Sequence, residues 1–243
     1  IKIMALLGAI EAGGTKFVVA VAEVENPDVV VARESFPTLD GAGTIAQVID
    51  FFDRYDDIAA IGIAAFGPID INPDSRTYGY VLDTPKRGWS GYDFLGAMKA
   101  WRDIPYFWTT DVNGAGWAEY VSGAAKDVEN VVYLTVGTGV GAGIIQHGQL
   151  LSGNSHPEAG HIMMRKHPQD SYVGHCPFHG DNCLEGLAAG PAIEDRWQES
   201  AKSLPDDHLA WEIEAYYLAQ AAVTYTVILR PDRIVFGGGV PHR

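Results

Sequence analysis

Both cysteines of the chain fall within GHCPFHGDNCLEG, residues 174–186. The order Cys176-x2-His179-x3-Cys183 offers two thiols and an imidazole, donors that tetrahedral Zn2+ accepts at such spacings. A closed structural site needs a fourth ligand, and His156, His161, His167 and His175 are the candidates. The competing reading is a local Cys176–Cys183 disulfide. Two cysteines in a chain that reads as cytoplasmic favour metal or free thiols over a disulfide framework.

A second kind of chemistry lies in the glycine turns Glu11-Ala12-Gly13-Gly14-Thr15-Lys16, Thr135-Val136-Gly137-Thr138-Gly139-Val140-Gly141 and Gly237-Gly238-Gly239. Without Cβ the backbone can approach an anion and present several N–H groups to it. Each turn taken singly is as easily a tight hairpin chosen for geometry. Three in one chain favour phosphate. None is a Walker A loop, no G-x-G-x-x-G opens the first strand, and GTGVGAG leads into apolar residues instead of a helix. The carboxylates also have plain readings: Asp111 in TTDVNGAG (109–116) as a helix N-cap, Glu158 as surface charge, and Glu185 as a first-turn helix residue.

The elements that must carry these groups follow from the apolar pattern. Ile10 and the run Phe17 to Val21 flank Gly13-Gly14 and predict a β-hairpin. Ile45, Val48, Ile49 and Phe52 predict a helix after Asp40-Gly41, and residues 58–70 a buried strand ended by Gly67-Pro68. The run, turn and run of residues 131–145 repeats the opening pattern faintly. This suggests a duplicated α/β unit with its boundary near residues 112–125, where GAGWAEYVSGAA is helix-like. A long helix is expected from about Asp207 to Leu229, with Pro231 as its stop, then a strand from Arg233 to Phe236.

At 243 residues and 47% apolar, the chain can bury a full core as one large domain or two small ones. Seventeen Lys and Arg stand against 31 Asp and Glu, so a net charge of −14 argues against nucleic acid or an anionic membrane as partner. Any bound anion must be held locally. The opening IKIMALLGAIEAGG has neither the basic n-region nor the long apolar run of a signal peptide, and no segment approaches the roughly 18 apolar residues of a membrane span. The expectation is therefore a cytoplasmic protein.

Taken in order, EAGGTK, TTDVNGAG, VGTGVGAG, HPEAGH, CPFHGDNCLEGLAAGPA and FGGG resemble the ROK family of sugar kinases, and especially its bacterial fructokinases, over essentially the whole chain. The resemblance implies an α/β, actin-like ATPase (ribonuclease-H-like) duplicated fold of two lobes, 1–115 and 116–243, the second carrying the zinc-binding loop. Sugar and ATP are expected in a central cleft. It implies ATP-dependent phosphorylation of a hexose, fructose to fructose 6-phosphate, with Mg2+ and structural Zn2+ and a homodimeric protein.

By the same resemblance Asp111 is the general base. Gly13, Gly14, Thr15 and Lys16 form the first phosphate loop, Gly137, Thr138 and Gly139 the second, and Gly237, Gly238 and Gly239 the adenosine side. Thr110, Glu158, His161 and Glu185 face the sugar, and His161, Cys176, His179 and Cys183 hold zinc. Two positions depart from common family practice: Glu11 replaces an Asp near the Mg-phosphate, and Thr110 an Asn before the base.

Lys86, Arg87 and Trp89 in TPKRGWSGYDF (84–94) resemble a fructokinase loop close to substrate, although Trp89 reads equally as partly exposed packing. FGPID (66–70) resembles a loop lining the sugar cleft. Tyr216, Tyr217 and Tyr225 read as core or dimer contacts. Family members continue beyond FGGGV, so the C-terminal end is expected to be incomplete. A sugar-sensing regulator, an inactive homologue and a kinase for mannose or glucose are the alternatives; family repressors carry a helix-turn-helix ahead of the glycine hairpin, for which seven residues before Gly8 leave no room.

Overall fold

The computed structural model describes residues 5–241; the first four residues of the opening stretch read above, and the last two of the chain, lie outside it. The chain divides into two units, Ile1–Gly114 with Gly153–His156 and Ala115–Ser152 with Pro157–Arg243.

In the first unit, β1 (Leu6–Ala12) and β2 (Lys16–Glu23) form the expected hairpin, and β3 (Val30–Pro37) pairs with β2 at the sheet edge. Helix α1 (Gly41–Phe52) starts where the Asp40 carboxylate accepts from Gly43 N at 2.8 Å, and its Ile45, Val48, Phe51 and Phe52 face the core. Next come β4 (Ile58–Ala65), parallel to β1, helix α2 (Phe94–Trp101), and β5 (Tyr106–Thr110), parallel to β4. The sheet order is β3-β2-β1-β4-β5. Helix α3 (Asp111–Val121) follows β5 directly.

The second unit repeats the plan. β6 (Val131–Val136) and β7 (Val140–Gln146) form a hairpin, and the short β8 (Gln149–Leu150) extends it. After a 3-10 turn at Ala159–His161 come α4 (Leu184–Ala188), α5 (Gly190–Trp197) and α6 (Leu209–Leu229), then β9 (Arg233–Gly237), parallel to β6. The order β8-β7-β6-β9 matches β3-β2-β1-β4 strand for strand. The faint sequence repeat is thus a repeat of topology.

Each unit has its own core. The first gathers Phe17, Phe66, Phe94 and Trp89, with ring centroids 5.3–5.9 Å from Trp89. Trp89 is 0% exposed and its indole N–H donates to Leu39 O at 2.7 Å. This corrects the reading of Trp89 as partly exposed packing or a substrate contact: the ring is a core anchor, and burying an aromatic of this kind contributes on the order of 2–3 kcal/mol. In the second core Tyr217 and Tyr225 are buried, their hydroxyls donating to Asp170 Oδ2 at 2.6 Å and Ala159 O at 2.7 Å. No helix among the described residues is long and apolar enough to cross a membrane.

Candidate active site

Strand register brings the acidic groups of the first unit together. Glu11 pairs with Ala64 and Ala64 with Thr109, so the C-terminal ends of the parallel strands β1, β4 and β5 finish level. Ligands of open α/β sheets bind outside such ends. Asp111 is the next residue after β5 and is half-buried, one carboxylate oxygen accepting from Val112 N at 2.8 Å. Burial pushes its carboxyl above the ordinary range, opposed by the Val112 amide; Glu11 adds to the rise and His156 lowers it.

The flanking residues fix this geometry. Thr110 is 5% exposed and its hydroxyl caps α3 by accepting from Asn113 N at 3.1 Å. The Asp111 side chain is thereby relieved of the cap its plain reading gave it. Asn113, 2% exposed, donates to Thr109 Oγ1 at 3.0 Å and was not singled out in the sequence, although it stands two residues after Asp111 in TTDVNGAG. His156, read only as a possible metal ligand, belongs to the first unit and acts on Asp111.

The first glycine turn joins β1 to β2. Gly13 N donates to Lys16 O at 3.0 Å, and Thr38 Oγ1 donates to Gly13 O at 2.7 Å. Thr15 and Lys16 are exposed. The second turn joins β6 to β7 in the other unit, with Gly137 N bonded to Gly139 O at 2.9 Å and Gly190 N to Gly137 O at 2.7 Å; Thr138 is exposed within it. The third follows β9. Gly238 has φ +91, and a Cβ there would collide with Val136 O, so only glycine fits. Gly237 packs on Tyr133, and Gly239 has open space around it.

Glu185, in the first turn of α4, is tied to the second turn. Its Oε2 accepts from Val140 N at 3.0 Å, and its Oε1 stands 3.9 Å from His161 Nε2. The other face of His161 looks at the cysteines: Nδ1 lies 3.8 Å from Cys176 Sγ and 3.7 Å from Cys183 Sγ, and His179 Nδ1 lies 3.6 Å from Cys176 Sγ. Glu158 is exposed just before the 3-10 turn that carries His161.

The four donor atoms of His161, Cys176, His179 and Cys183 all lie within 4.8 Å of one another. A zinc tetrahedron with Zn–S of about 2.3 Å and Zn–N of about 2.0–2.1 Å has S···N edges of about 3.6 Å, so the residues present fit the ion. Both thiols are free and buried. Burial, with Cys176 beside it, pushes the Cys183 thiol up to about 11, against the Gly186 amide that lowers it. The other histidines are elsewhere: His167 Nδ1 accepts from Gln169 N at 3.2 Å, and His175 lines a separate surface pocket with Glu194 and Asp195.

A model of the ROK family matches residues 7–243. The fructokinase of Pediococcus pentosaceus is 48% identical over 238 residues, 98% of this chain and 81% of that protein. The fructokinase of Streptococcus mutans is 47% identical over 239 residues, 97% of this chain and 80% of that protein. The solved structure of a ROK hexokinase from Thermus thermophilus shares the fold with a TM-score of 0.81 at 24% identity, covering 98% of this chain and 83% of that one.

Proposed function

This chain belongs to the ROK family, and on that premise we propose that it is an ATP-dependent sugar kinase that phosphorylates fructose at its 6-hydroxyl, with Mg2+. The near-half identity to fructokinases supports the substrate. The single structural observation that supports the chemistry is Asp111, half-buried at the level ends of β1, β4 and β5 with its carboxyl raised and Glu11 nearby.

Asp111 serves as general base. Phosphoryl transfer rests chiefly on positioning and charge neutralisation, and a carboxylate that aligns the acceptor hydroxyl and takes its proton completes the set. By the family resemblance, Gly13, Gly14, Thr15, Lys16, Gly137, Thr138 and Gly139 are assigned to the nucleotide's phosphates and Gly237, Gly238 and Gly239 to its adenosine side. Glu11 reaches the Mg2+ that accompanies them. Thr110, Glu158, His161 and Glu185 bind the sugar, the glutamates because one carboxylate accepts from two neighbouring hydroxyls. Residues 1–115 and 116–243 are the two lobes of this kinase, which we take to be a cytoplasmic homodimer.

His161, Cys176, His179 and Cys183 would hold Zn2+, which when bound supplies a closed structural cross-link and no chemistry of its own. His161 would offer Nδ1 to the ion while its Nε2 stands 3.9 Å from Glu185 Oε1, so the clip would help to orient a sugar ligand.

The test is ADP release with fructose, mannose and glucose for the parent and Asp111→Asn. The expected result is fructose-dominant turnover and a kcat reduced by about 10²–10⁴ in the variant, the range general bases contribute. Full activity in Asp111→Asn would remove Asp111 as base; dominance of another hexose would remove fructose as substrate.

A further inference from the structure

Lys86 lies far along the chain from the first glycine turn, yet folding brings its ammonium over it. The Cβ that Gly14 lacks would stand 3.7 Å from Lys86 Nζ. The space between turn and ammonium is therefore open because residue 14 is glycine, and any side chain there would enter it. No hydrogen bond among the described residues takes the N–H of Gly14 or of Thr15, and no ion pair among them takes the Lys86 ammonium. Amides and a cation that lie close together and have no partner among the described residues are the parts of a cradle for an anion.

The cradle is held on both sides. Trp89 N donates to Lys86 O at 3.1 Å, and Trp89 is buried in the aromatic core, which fixes the loop carrying Lys86. Gly41 N donates to Gly88 O at 3.1 Å, and at Gly88, φ +76, an added Cβ would press within 2.5 Å of Asp40 Cβ. Thr38 secures the turn from behind through Gly13 O at 2.7 Å and Thr15 O at 2.9 Å. A cavity of about 550 Å3 lined by Thr38, Leu39, Asp40, Gly43, Lys86 and Arg87 adjoins them. Its one carboxylate, Asp40, is occupied in part by the cap bond from Gly43 N. Two cations against one engaged carboxylate leave the cavity suited to an anion, in a chain whose overall charge of −14 repels one.

We propose that Lys86 is a catalytic residue that binds the transferring phosphoryl group above the Gly13-Gly14-Thr15 turn. The proposal rests on the kinase reading above. In the transfer, the bond from the terminal phosphorus to the oxygen retained by ADP breaks and the bond to the sugar's 6-oxygen forms. The hydroxyl proton passes to the Asp111 carboxylate. Lys86 neutralises charge on the equatorial phosphoryl oxygens, which is where phosphoryl-transfer enzymes place a cation.

The test compares the parent, Lys86→Met and Lys86→Arg in steady-state kinetics with ATP and fructose, with tripolyphosphate titrated calorimetrically into each in the absence of sugar. Lys86→Met is expected to lower kcat by roughly 10²-fold with the fructose KM within about threefold and Tm unchanged, Lys86→Arg to recover about a tenth or more of the loss, and tripolyphosphate to bind the parent at least about tenfold more tightly than Lys86→Met. An unchanged kcat, or a loss confined to the fructose KM, would overturn the proposal. A parent inactive on every sugar would defeat the kinase reading; the tripolyphosphate comparison would then still decide the anion site, equal binding by parent and Lys86→Met overturning it.

Discussion

A carboxyl group that is half-buried and faces another carboxylate holds its proton more firmly than one in water. Asp111 is in that position, with burial the larger cause and Glu11 a smaller one. As the proposed base, Asp111 works only when ionised, so kcat/KM should fall as pH drops through a value above the usual carboxylate range. Glu11→Gln, which removes the smaller cause, should move that acid limb to lower pH; a limb that stays put would show that Glu11 does not act on Asp111. Glu214 on α6 is a different residue-scale case. It is 4% exposed, neither carboxyl oxygen has a hydrogen-bond partner among the described residues, and burial pushes its carboxyl up to about 8, with Arg196 opposing. Its folded value lies above its unfolded value near 4.5. The folded state therefore holds the extra proton, and the stability this contributes is complete below about 4.5 and lost as pH rises to about 8. Glu214→Gln cannot ionise, so the Tm of the variant should gain on the parent steadily between pH 5 and pH 8. A difference that does not change with pH would mean that the carboxyl is ionised throughout.

At the scale of elements, α4 is five residues long and owes its place to its ends. Cys183 is its N-cap, the sulfur accepting from Gly186 N at 3.4 Å, and one of the four gathered donors. Serine is a good N-cap but a poor zinc ligand. Cys183→Ser should therefore lose the metal while keeping the cap, and Cys183→Ala should lose both and be the less stable by about 0.5–2 kcal/mol, read as zinc content and chemical denaturation on one sample. Glu185 extends from the same short helix to the turn between β6 and β7 through Val140 N. If that bond shapes the phosphate loop, Glu185→Ala should raise the KM for ATP as well as for fructose, whereas Glu158→Ala, on an exposed side chain, should raise the fructose KM alone. The sequence marked α4 only through Glu185, read as a first-turn helix residue, and that is where the structure places it. Five residues carry no helical period, and β3, α2, β5 and α5 were passed over for related reasons: β3 is an edge strand whose residues are mostly exposed, and β5 exposes Phe107. The hairpins, α1, β4, α6 and β9 were legible because each couples an apolar run to a glycine, proline or capping stop.

For the whole molecule, what the sequence did not disclose is what depends on distant parts of the chain meeting. The glycine turns and Asp111 could be picked out locally, but the Lys86 ammonium over Gly14, the Glu185 carboxylate on Val140 and the burial of Trp89 exist only once the strands have registered. The same distinction governs how a perturbation should spread. The described residues form separate cores for the two units, the first around β1, β2, β4, α1 and α2, the second around β6, β7 and α4 to α6. The four gathered donors belong to the second. Residues 162–183 contain little regular structure, so a bound ion would replace backbone ladders as their constraint, and its removal should free the loop and the short helix it caps. Hydrogen exchange followed by mass spectrometry, before and after chelation, should therefore show faster exchange across residues 162–188 and into the first turns of α6, with β1 to β5 unchanged. Exchange rising equally in β1 to β5 would mean that the clip supports the global fold. No change in residues 162–188 would mean that the four side chains hold no ion, and the link from His161 to Glu185 would then rest on the imidazole alone.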